Sequence, residues 1–107
     1  MTMAHYADIS LYTESENLLW DRLLERQGQM FYTAKNLPFT YYIKGNELFV
    51  SRKNKSITRS DINRSYAKAL ELMETVGCVS GPKKIGTFGA SYLFPIFREL
   101  GIIRESK

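Results

Sequence analysis

The dipeptide Gly45-Asn46 sits between two segments, 39–44 and 47–51, in which side-chain character alternates. A two-residue loop of this composition accepts the positive φ that type I′ and II′ hairpin turns require. With the turn placed there, the register follows. Lys44 faces Glu47, Ile43 faces Leu48, Tyr42 faces Phe49, Tyr41 faces Val50 and Thr40 faces Ser51. Opposed residues share a face of the ribbon, so Phe39, Tyr41, Ile43, Leu48 and Val50 form one side and Thr40, Tyr42, Lys44, Glu47, Phe49 and Ser51 the other. The first side is the core side, because an isolated hairpin is not stable without burial of one face. Each large residue buried there contributes about 1.5–3 kcal/mol. The second side is polar except for Tyr42 and Phe49. Those two rings are either covered by another segment or left as a platform for a base or a partner protein.

The elements on either side are read from their spacing. Met1 to Tyr12 has no period and is expected to be a lead-in. Thr13 followed by Glu16 fits a capping box, and a first helix is expected from there to about Gln27, with Leu19, Trp20, Leu23 and Leu24 inward and Gly28 just past its end. Gln29 to Ala34 reads as a strand, and Lys35-Asn36-Leu37-Pro38 returns the chain into the hairpin. Arg52 to Ser56 reads as a polar connector. Thr58 with Asp61 then starts a second helix, whose inward positions are Ile62, Tyr66, Ala69, Leu70 and Met73 and whose end is near Val76-Gly77. The segment 78–89, with Gly81, Gly86, Gly89 and Pro82, is expected to be irregular. Ser91 is expected to cap a third helix through Leu100, ended by Gly101, and Ile102-Ile103 to form a short terminal strand or a tail docked on the core.

The expected architecture is therefore α+β, one small domain over residues 1–107. A three-stranded antiparallel meander is packed by about three helices in the order αβββαα, with 1–12 as lead-in and 104–107 as frayed tail. Length and 44% apolar content suit a soluble single core. No apolar run approaches the roughly 20 residues of a membrane helix. The N-terminal MTMAHYADIS lacks a signal-peptide pattern, and the single cysteine, Cys78, cannot make an internal disulfide. A cytoplasmic protein without a membrane partner is the expectation.

Enzyme and metal signatures are weak. His5, the one histidine, has no fixed partner, and one His with one Cys does not make a zinc site by the usual spacing. The glycines around Lys83-Lys84 miss both the Walker and the dinucleotide patterns. A Gly/Lys loop feeding a helix can still hold a phosphate. The expectation is a non-enzymatic domain with no cofactor.

Charge supplies the best functional lead. The formal charge of +4 is divided unevenly: residues 1–51 carry four Lys and Arg against six acids, and residues 52–107 carry eleven against five. Within the basic part, Arg52, Lys53, Lys55, Arg59 and Arg64 fall at a strand end and a helix start, and Lys83 and Lys84 can join them if the loop folds back. Cations of this kind supply most of the sequence-independent affinity for nucleic acid. A nucleic-acid-binding (DNA) module with these seven residues as contacts is the leading expectation. The rival is a protein-interaction or self-associating domain, a homo-oligomer formed through a sheet edge or through Tyr42 and Phe49. The plain alternative is a solvated run of charge.

Overall fold

The computed structural model describes residues 15–52, 54 and 56–105; the lead-in, the Thr13 cap, His5, Lys53, Lys55 and residues 106–107 lie outside the described residues. In chain order the elements are α1 (15–25), β1 (Phe31–Tyr32), β2 (Pro38–Phe39), β3 (Tyr41–Lys44), β4 (Glu47–Val50), β5 (Ser56–Thr58), α2 (Arg59–Thr75), α3 (Pro82–Ile85) and α4 (Ala90–Glu99). The class is α+β. The strands divide into two antiparallel sheets, β1-β2 and β3-β4-β5.

The hairpin has the expected register in all four ladder pairs from Tyr41↔Val50 to Lys44↔Glu47. Gly45 takes φ 62° while Asn46 stays negative, which are the φ signs of a type II′ turn. Tyr41, Leu48 and Val50 are buried and Ile43 packs against them. Register and burial agree because a one-residue slip would send these side chains to solvent.

The meander differs from expectation in its third strand. Residues 31–32 pair with Pro38–Phe39 in a separate ribbon, and the third member of the main sheet is Ser56–Thr58, antiparallel to β4. Ile57 lies opposite Leu48 and is fully buried. In sequence this strand is hidden: one β-branched apolar residue among polar neighbours has no detectable period, and it is tertiary pairing that makes it a strand. Thr58 serves twice, as the last residue of β5 and as the N-cap of α2, where its Oγ1 accepts from the Asp61 amide at 3.1 Å.

Other expectations need correction. Leu24 is exposed, because α1 buries the narrower stripe of Leu19, Trp20 and Leu23. Helix α1 stops at residue 25. The segment 78–89 is not wholly irregular. Pro82, whose fixed φ suits a first helical position, opens the single turn of α3 and buries Ile85. Ser91 is not a cap; Gly89 holds that position at φ 82° with no side-chain bond. The tail is pinned at its start, since the Val79 amide donates to the Arg104 carbonyl at 2.8 Å and Arg98 pairs with Glu105 at 2.9 Å.

The core is one cluster joining the helices to both sheets. Phe31 lies 5.8 Å from both Phe39 and Tyr41, which couples the small ribbon to the hairpin. Leu93, Phe94, Ile96 and Phe97 of α4 are buried beneath. Pro95 is accommodated within this helix. Polar links tie the helices together beside the core. Arg22 of α1 donates to the Leu100 carbonyl at 2.5 Å, at the C-terminal end of α4, where a cation also complements the helix dipole. Ser65, fully buried on α2, bonds to the Asp61 carbonyl at 2.8 Å and to the Thr87 hydroxyl.

Candidate nucleic-acid interface

The described cations of the expected cluster have different surroundings. Arg59 packs its guanidinium over the Trp20 ring, 4.7 Å from the centroid, and donates to Asn17 Oδ1 at 3.2 Å. It thereby holds α1 against the start of α2. Arg59→Ala is expected to cost about 1 kcal/mol of folding stability, read as a lower thermal midpoint. Arg64 pairs with Asp61 one turn earlier at 2.8 Å, so its charge is largely offset, although such a surface pair adds little stability. Arg52 is exposed and donates to the Pro38 carbonyl at 3.2 Å. One such bond uses a fraction of the five donors of a guanidinium, and the charge stays open to solvent. Lys53 and Lys55 belong by sequence to the same connector. Lys83 and Lys84 are exposed on α3, where they line a cleft with Lys35.

The outer face of the β3-β4-β5 sheet carries the second part of the site. Tyr42 and Phe49 are direct cross-strand partners, and their rings stack at 5.1 Å with an interplanar angle of 13°. Tyr42 is 57% exposed and Phe49 half-buried. Of the two alternatives weighed in sequence, Tyr42 follows the open one, while Phe49 is partly covered. Ser56 lies opposite Phe49 on the same face and bonds to the Glu47 carboxylate. That bond occupies Glu47, which forms no ion pair with the facing Lys44. The basic connector begins at Arg52, three residues beyond Phe49, so the stacked rings and the start of the connector share one end of the sheet.

The edge of β3 is not free. The Gly28 amide donates to the Tyr41 carbonyl at 3.0 Å and the Ile43 amide to Gln27 Oε1 at 2.6 Å. Pairing of a second chain along this edge would have to displace both bonds.

No protein-family model matches the chain, and comparison with curated proteins and with solved structures finds no match. Among the described residues, no group of three or more His, Cys, Asp and Glu has the arrangement of a metal site, and no helix is long and apolar enough to cross a membrane. Sequence reading missed the part that Arg59 plays in packing. Its one available signal was the apolar face of Trp20, which needed a cation within reach that only the tertiary fold supplies.

Proposed function

We propose that this domain is a non-catalytic module that binds single-stranded nucleic acid on the outer face of its main sheet. The observation that carries the reading is the exposed Tyr42 ring, stacked on half-buried Phe49, at the sheet end from which the Arg52 connector emerges. Unpaired bases stack on aromatic platforms whatever their identity, and neighbouring cations track the backbone. A duplex keeps its bases in the stack and has no use for the platform, so the ligand class is single-stranded.

Fluorescence anisotropy with a labelled single strand of about a dozen nucleotides tests this. Binding is expected to weaken steeply between about 0.05 and 0.2 M salt. Tyr42→Ala is expected to weaken binding by roughly tenfold, the loss of one base–aromatic stack, while the thermal midpoint falls by only a few degrees, the cost of about 0.2–1 kcal/mol for the lost cross-strand pair with Phe49. Absence of binding at low salt, or equal affinity in Tyr42→Ala, rejects the proposal.

The same exposed rings favour a second reading, self-association of two sheet faces. It predicts a dimer mass in solution that falls to a monomer in Tyr42→Ala.

A further inference from the structure

A cleft of about 840 Å³ lies between the 33–37 turn, the α3 segment and the start of α4. Its volume lies within the range of small-molecule sites. Lys35, Lys83 and Lys84 line it, and no Asp or Glu does among the described residues. In the same residues none of the three lysines has a carboxylate partner. The lining thus carries three positive charges and no negative one, a balance that favours an anionic ligand. The remaining lining is of two kinds: hydroxyls, such as those of Ser80 and Ser91, and apolar surface from Leu37, Pro82 and the Tyr92 ring.

The walls are held in place. The turn is closed by Thr33 N to Leu37 O at 2.9 Å, Asn36 N to Thr33 O at 2.8 Å and Leu37 N to Thr33 Oγ1 at 3.1 Å, with Asn36 left-handed at φ 65°. Tyr92 is fixed edge-on against buried Phe39 at 5.1 Å and 78°. Thr87 is tied to buried Ser65 of α2. A site whose walls are already ordered spends little of its binding energy on closing.

We infer that this cleft binds a small organic phosphate ester with two or more phosphoryl charges, such as a nucleoside diphosphate. The lysines match the phosphates as point charges, the hydroxyls supply directional donors, and the apolar wall accepts the organic body. This inference does not depend on the sheet-face reading, since the two sites have no residue in common.

Isothermal titration with ADP and with inorganic pyrophosphate, at about 0.15 M salt, tests it. Saturable binding of both is expected, with ADP the tighter because pyrophosphate lacks the body that meets Leu37 and Tyr92. Lys83→Glu/Lys84→Glu is expected to weaken both by at least about tenfold, while Lys44→Glu on the sheet face and Tyr42→Ala leave them unchanged. The double variant alters two exposed side chains, and an unchanged thermal midpoint verifies that it folds. Three results overturn the inference: no saturation by either compound up to about 10 mM, equal affinity in the double variant, or binding of an oligonucleotide alone that the double variant weakens. The last would make the cleft part of a polynucleotide surface.

Discussion

Gly89→Ala is expected to lower the unfolding free energy by about 2–5 kcal/mol. Two separate costs combine. Gly89 stands at φ 82°, where an L side chain strains against its own backbone by about 1–2 kcal/mol. An added Cβ would also lie 2.6 Å from Ile57 Cδ1, 2.9 Å from Cγ1 and 3.2 Å from Cγ2. Ile57 is fully buried and locked in register opposite Leu48, so its side chain has little room to retreat, and overpacking of this kind costs about 1–3 kcal/mol. In thermal unfolding followed by circular dichroism, the midpoint should fall by roughly 10–25 °C. Gly77→Ala separates the two costs, because Gly77 has nearly the same φ of 89° with nothing within 4 Å of the added carbon. It should show the strain alone. Adding Ile57→Val, which removes Cδ1, should recover part of the Gly89→Ala loss and make the double variant less destabilised than the sum of the singles. Equal losses in Gly89→Ala and Gly77→Ala would mean that Ile57 yields freely and that α4 is not seated against β5 as described.

The second large effect is a pH dependence carried by Tyr41. Its phenol is buried and donates to the Leu23 carbonyl at 2.6 Å. Burial raises its pKa well above the ordinary value of 10.0, and the nearby Arg26 charge offsets only part of that rise. Below pH 10 the phenol is neutral in both states and its contribution is fully present. Above pH 10 the unfolded chain releases this proton while the folded protein retains it. The unfolded state then binds fewer protons, and stability falls as pH rises, by up to about 1.4 kcal/mol per pH unit from this one group. Tyr41→Phe removes that slope. At neutral pH it costs about 1 kcal/mol for the lost hydrogen bond; the Leu23 carbonyl keeps the Arg26 amide, at 3.2 Å, as a partner. The two stability curves, from urea unfolding at a series of pH values, should therefore converge above pH 10. Parallel curves across that range would show that the phenol ionises as readily in the folded protein as in the unfolded chain.

How far this fold was legible follows from the range of the interactions involved. The hairpin, the Thr58 cap and the inward stripe of α2 are written in residues near each other in the chain; the register and the cap are found as read, and the stripe is found with Ser65 added and Leu70 and Met73 only half-buried. Ile57 and Ile85 are single apolar residues in polar surroundings, and they are buried because distant elements meet them. No local window contains that information. The candidate site divides in the same way. Lys83 and Lys84 were singled out for charge, but their cleft is completed by Lys35, which lies almost fifty positions earlier and in the less basic half of the chain. Arg59 had the charge and position of a contact residue and is instead engaged by Trp20 and Asn17, partners that only the folded chain brings to it.

The hydrogen bond from Arg22 to Leu100 has a consequence for synthesis. It joins positions 78 residues apart, so α1 cannot take up its final anchorage until residue 100 has emerged from the ribosome. The cross-strand pairs of the hairpin lie at most nine residues apart, so its register can be sampled earlier, although its core face is covered only when later elements arrive. The N-terminal helix must wait for α4, and a nascent chain stalled before residue 100 will hold the apolar stripe of α1 without the clamp that fastens it.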